Sequence, residues 1–126
     1  MNIDDLTIGE AKKLAAFFSG GKSTVSNIDG GGRYVIVRSR DAGVQFGKLE
    51  SYASDGSTVT LRDARQMWSW TAKEGGTLLD CATHGVKAGK FSATADRVIV
   101  INACAIIDCT PSAVKTLESV QWAYSQ

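Results

Sequence analysis

From Tyr34 to Ile107 the chain is a succession of short β-branched and aromatic runs, each cut off by a turn bearing glycine or aspartate. Tyr34-Val35-Ile36-Val37-Arg38 is the first run, and Asp41-Ala42-Gly43 turns it. Val44 to Tyr52 alternates loosely, with Gly47 marking a bulge or a close backbone approach. Ser54-Asp55-Gly56-Ser57 is a hairpin signal leading into Thr58-Val59-Thr60-Leu61. Met67, Trp68 and Trp70 mark another strand, broken by Gly75-Gly76. Lys90-Phe91-Ser92, Arg97 to Ile101 and Ala105 to Ile107 follow as further strands. Thirteen glycines against a single proline, Pro111, suit a chain of strands joined by tight turns.

Helical signals frame these runs. Thr7-Ile8-Gly9-Glu10 has the capping-box form, and Ala11, Leu14, Ala15 and Phe18 fall on one helical stripe, which predicts a helix over 8–18. Residues 19–32, rich in Gly, Ser and Asn, read as a linker ending in Gly30-Gly31-Gly32. Thr77 to Thr83 reads as a short helix closed by Gly85. Thr110 as N-cap and Pro111 at the first helical position open a last helix, with Val114, Leu117 and Val120 giving its period. The expected fold is α+β: an antiparallel β-sheet core with an N-terminal helix, a short middle helix and a C-terminal helix. A chain of 126 residues makes this one domain, 1–126, with the β-rich core at 33–126.

Charge and cysteine usage narrow the partners. Fourteen basic residues against thirteen acidic ones give a net charge of +1, which does not suggest a DNA or RNA coat. No apolar run approaches the ~18 residues of a membrane span. Asp4 and Asp5 stand where a secretory leader carries its basic region. Cys81, Cys104 and Cys109, odd in number and without CxxC spacing, read as reduced thiols of a cytosolic protein.

The catalytic and metal motifs fall short. Gly21-Lys22-Ser23 resembles part of a phosphate loop, but the pattern requires glycine where Ala16 stands, and a helix after the loop rather than before it. Asp80-Cys81-Ala82-Thr83-His84 offers a thiolate and an imidazole with no second ligand pair. Cys81 and His84 as a nucleophile pair have no surrounding motif. The chain is therefore expected to be no enzyme and to need neither cofactor nor metal.

The aromatic strand is more informative. Trp68 and Trp70 lie two apart and on a regular strand share one face. Arg65, five before Trp70, faces the other way unless a bulge or a subunit contact intervenes. Indole planes beside guanidinium groups suit a purine and a phosphate; the same tryptophans equally suit core or interface anchors. Arg38, Arg40 and Arg97 add cations around apolar strands, although Asp96-Arg97 could also be a turn pair.

Three blocks carry a family resemblance. Arg38-Ser39-Arg40-Asp41-Ala42-Gly43-Val44 with Gly47 and Leu49 is one. Ala64-Arg65-Gln66-Met67-Trp68-Ser69-Trp70 followed by Leu78, Ala82 and Gly85 is the second. Lys90-Phe91-Ser92, Ile106-Ile107-Asp108-Cys109-Thr110 and Ala113-Val114-Lys115 make the third. In order and spacing, over roughly residues 33–122, they resemble the phage anti-Thoeris sponge proteins. That resemblance implies a non-enzymatic role in evading anti-phage defence. Such a protein sequesters cyclic ADP-ribose signals, glycocyclic ADP-ribose isomers among them, in the cytoplasm of the infected bacterial host. It further implies a homo-oligomer of dimers assembling to a hexamer, with the pocket at the dimer interface and, in some members, separate sites for cyclic di- or trinucleotides. Under it, Trp70 first and Trp68 second stack on adenine, Arg65 and Arg97 meet phosphates, and Asp80 accepts hydrogen bonds from ribose or adenine. Ser112 offers the N-terminus of the last helix to a phosphate, and Arg38 and Thr77 serve the cyclic-oligonucleotide site. The alternative is a protein-interaction module in which the Trp strand anchors an oligomer or a partner.

Overall fold

Alternation along Val35-Ile36-Val37 sends neighbouring side chains to opposite faces of one strand, and each face has a core of its own. The computed structural model describes residues 25–124. Its elements are β1 (Asn27–Asp29), β2 (Tyr34–Ser39), β3 (Gly43–Ala53), β4 (Thr58–Ala72), α1 (Leu78–His84), β5 (Val86–Phe91), β6 (Ala95–Ile101), β7 (Ala103–Asp108) and α2 (Pro111–Ser119). The strands form one sheet in the order β5-β4-β3-β2-β7, with β1 also on β3 and β6 also on β4, every pairing between strands antiparallel. The mixed α+β fold, the antiparallel core, the short middle helix and the C-terminal helix are thus present. The expected helix over 8–18, with its capping box, and residues 19–24 of the expected linker lie outside the described residues.

The sheet curls nearly into a ring. The first half of β4 pairs with β6, and β6 passes into β7 through one residue, Asn102, at φ 58°. β7 returns to β2, and the Ser39 hydroxyl donates to the Ile101 carbonyl at 2.7 Å across the junction. Inside lie Val35, Val37, Leu49, Val59, Leu61, Ala64 and Val100, an aliphatic filling. On the outer face Ile36, Phe46, Met67, Ala72, Val86 and Phe91 pack against Cys81 and Ala82 of α1 and Ala113 and Leu117 of α2.

Local chemistry sets the helices. The Thr77 hydroxyl accepts from the Asp80 N–H, and the Asp80 carboxylate accepts from the Thr77 N–H, a reciprocal cap. Thr110 caps α2 at the Ala113 N–H and donates to the Thr83 carbonyl at 2.8 Å, which ties the two helices together.

Three strand expectations change. Residues 27–29, read as linker, form β1 against Ala53-Tyr52-Ser51. The glycine there serves contact rather than freedom: a Cβ on Gly30 would overlap the Leu49 side chain. The runs at 58–61 and around Trp68 are one strand of 15 residues, since β3 pairs with it from Val59 to Met67 and β5 carries it on from Met67 to Ala72. Asp96-Arg97 lies within β6 and not in a turn. The close approach expected at Gly47 is present. The register shifts there because Asp63 and Ala64 both oppose it, and an added Cβ would sit 3.0 Å from the Arg62 carbonyl.

Candidate functional site

A second register shift decides where the tryptophans go. Met67 pairs with Phe91 and Ser69 with Lys90, so Trp68 is the extra residue of a bulge. The regular alternation expected for Trp68 and Trp70 is thereby broken, and the two do not share their packing. Trp70, opposite Gly89, is half-buried against the helix-covered core. The bulge also puts Trp70 on the face that Arg65 and Met67 use, which an unbroken strand would forbid. Trp68 is 46% exposed, and its ring centroid lies 6.2 Å from that of Tyr124. Trp122 meets Tyr124 edge-on at 6.3 Å, and the Ala123 N–H donates to the Phe91 carbonyl, holding this tail along β5. Trp122 and Tyr124 were missed from sequence; a Trp-x-Tyr pair just beyond a helix was the available signal.

Arg65 is only 6% exposed. Its Nε donates to the Ser92 carbonyl at 3.0 Å, and its Nη1 to the carbonyls of Leu117 and Glu118 at 3.1 and 3.3 Å. The guanidinium lies 5.1 Å from the Phe91 ring centre. It therefore closes the C-terminal turn of α2, where free carbonyls and the dipole favour a cation. Burial pushes its pKa below the ordinary guanidinium value.

The other expected site residues divide into used and unused groups. The Asp80 carboxylate accepts from the N–H groups of Thr77 and Gly76 and from the Thr77 hydroxyl, and these bonds hold it below the usual carboxylate range. Thr77 is its capping partner. Ser112 is exposed in the first turn of α2, its Oγ 3.3 Å from that of Thr110. Arg38 on β2 and Arg97 on β6 are exposed, and neither side chain makes a hydrogen bond or ion pair among the described residues. Arg97 stands opposite Arg62 and Arg38 opposite Val44 and Ala105. Ser112 and Arg65 sit at opposite ends of α2, about 8 Å apart along its axis. Among the described residues the set does not converge on a single pocket.

Among the described residues no three His, Cys, Asp or Glu side chains come together as a metal site. The thiols of Cys81 and Cys109 are pushed up by burial, Cys109 to about 12, so both stay protonated at neutral pH.

Residues 32–117, more than half of the chain, match the model of a family described as a domain of unknown function (DUF6948). No curated protein and no solved structure matches the chain.

Proposed function

This chain belongs to the DUF6948 family, and we propose that it is a binding protein that sequesters a nucleotide-derived anion of the cyclic ADP-ribose type without transforming it. Trp68 carries the reading: an indole 46% exposed, held on a strand, with the Tyr124 ring against it. A planar base covering such a ring gains about 1–3 kcal/mol of stacking. Arg38 and Arg97, without protein partners among the described residues, are free to meet phosphates. Trp68 takes the stacking role ahead of Trp70, whose ring is half withdrawn into the core. Asp80 and Thr77 rank last because they already bond each other.

Trp68, Arg38 and Arg97 stand on three different strands, and the proposed pocket combines them across an interface between protomers. The resemblance implies such an assembly, a dimer building to a hexamer in the bacterial cytoplasm, with cyclic di- or trinucleotides as a second ligand class. Sequestration asks for charge-assisted bonds and a stack, and for no general acid or base.

Native mass spectrometry of the full chain with cyclic ADP-ribose isomers and cyclic di- and trinucleotides tests this. The expected result is one intact ligand per protomer, retained at least about tenfold less well by Trp68→Ala, the loss of one stack. Retention of none of these, or release of a cleaved product, overturns it. The contiguous exposure of Trp122 (47%) and Tyr124 (73%) beside Trp68 favours a second reading, an anchor for a protein partner or another copy. Under that reading Trp68→Ala shifts the assembly mass while no nucleotide binds to either form.

A further inference from the structure

A cavity of about 290 Å³ remains unexplained by packing, lined by Tyr34, Phe46, Asp63, Arg65, Thr94 and Glu118. Two features of its wall, at Asp63 and Arg65, are costly in a merely structural role, and a third, at Tyr34, fixes a donor there. Asp63 adopts φ 49° at the bulge opposite Gly47, a left-handed conformation that glycine takes without strain. Arg65, nine-tenths buried, bonds carbonyls through Nε and Nη1, while its Nη2 has no hydrogen-bond partner and its charge no carboxylate in ion-pair range among the described residues. Tyr34 stacks on Phe46 at 5.4 Å and donates to Glu118 Oε2 at 2.6 Å. Burial, and then that carboxylate, push the Tyr34 phenol up to about 12, so it remains a donor at neutral pH.

We propose that this cavity binds the vicinal diol of a sugar ring, either a free monosaccharide or the ribose of a nucleoside. Hydroxyl groups both donate and accept, and the wall asks for both: the Asp63 and Glu118 carboxylates only accept, and the Arg65 guanidinium only donates. A phosphate or carboxylate would meet two acids in the same wall, and a simple cation would meet the guanidinium. Tyr34, with Phe46 stacked on its ring and Lys48 Nζ 5.7 Å from its ring centre, adds the apolar part of the wall. The volume lies near the lower end of small-molecule sites, suited to one ring rather than a whole dinucleotide. At this glycine-favouring φ the chain carries a carboxylate, which glycine would remove, and Lys48 pairs with it at 3.3 Å. The inference stands apart from the sequestering reading, which places its weight on Trp68.

The test is an NMR titration of the full ¹⁵N-labelled chain with D-ribose, adenosine and 2′,3′-dideoxyadenosine. D-ribose and adenosine are expected to shift the Arg65 Nε–H and the amides of Asp63, Ala64 and Thr94, and dideoxyadenosine is not. Shifts from both sugars assign recognition to the diol alone, and shifts from adenosine alone assign it to a ribose that carries a base. Equal shifts from dideoxyadenosine, or none from any probe, overturn the proposal. Asp63→Gly keeps the bulge and relieves φ; it is expected to bind at least about tenfold more weakly, the loss of a charge-assisted bond, with its melting temperature unchanged or raised. Undiminished binding by Asp63→Gly overturns the proposal too. Trp68→Ala is expected to leave these shifts intact, so failure here and failure of the sequestering reading are told apart.

Discussion

The interior of the ring and the face under the helices are built from one sheet but from different chemistry. The interior is aliphatic, largely β-branched, and filled from strands alone. The outer face mixes phenyl rings, a thioether and a thiol with two short helices, and Arg65, Trp70 and Tyr34 border it. β4 serves both, with Val59, Leu61 and Ala64 inside and Met67 and Ala72 outside. Polar groups with unusual surroundings gather at the helix side, and the ring supplies a frame they do not disturb. The contrast teaches that uniform packing specifies a scaffold, while mixed packing leaves places where a ligand can compete.

The largest expected effect breaks the helix side. Phe91 is fully buried, lies under the Arg65 guanidinium and pairs with Trp122, so Phe91→Ala is expected to cost about 3–5 kcal/mol. Leu61→Ala, equally buried inside the ring, is expected to cost about 2–5 kcal/mol, but with Trp68 fluorescence unchanged before the unfolding transition. Urea denaturation with constant slope measures both. An altered native Trp68 signal in Leu61→Ala would show that the two regions are not separable.

Arg65→Met sharpens the comparison at one group. It leaves the carbonyls of Ser92, Leu117 and Glu118 without their donor, for about 1–3 kcal/mol per group left buried and unpaired. Amide exchange is expected to quicken in the last turn of α2 and to stay unchanged in β2 and β3. Uniform quickening would mean that Arg65 supports the whole sheet.

Local signals were legible in the sequence, and long-range ones were not. The N-cap Thr110-Pro111 and the C-cap Gly85 act within three or four residues, so they alone mark the start of α2 and the end of α1, whereas Thr77 was read as the first helical residue and not as the cap it is. Gly47 was legible as a close approach because the absence of a side chain is itself a signal. The bulge at Trp68 was not, because register belongs to β4 and β5 together. The role of Arg65 was equally hidden: its acceptors lie 27, 52 and 53 residues away. β1 was masked by composition, since glycine that yields to a neighbouring side chain reads the same as glycine in a linker. The resemblance ranked Trp70 above Trp68; the greater exposure of Trp68 in the folded chain is the ground on which we propose it first.

A smaller effect separates the two caps. Thr77→Ala and Thr110→Ala each remove an N-cap, for about 1 kcal/mol. Thr110 also bonds the Thr83 carbonyl, so its loss should be the greater and should loosen α1 as well as α2. Equal losses would mean that the bond between the helices adds nothing to the outer layer.

The smallest effect lies on the alkaline side, where Tyr34 and Cys109 of the outer face hold their protons beyond the ordinary range. An unfolded chain releases the tyrosine proton near the ordinary 10.0, whereas folded Tyr34 keeps it to about 12, through burial and the Glu118 carboxylate. Between those values the native state holds more protons, so this contribution is fully present below pH 10 and is lost as pH rises through 12. Cys109, raised from 9.0 to about 12 chiefly by burial, acts in the same direction from a lower onset. Tyr34→Phe is expected to lose a little stability at neutral pH with its hydrogen bond, and then to decline less steeply than the parent between pH 10 and 12. Denaturation midpoints along that range measure it. A parallel decline would show that Tyr34 titrates as freely as in the unfolded chain, and would remove the helix side's claim to hold this phenol protonated beyond its ordinary range.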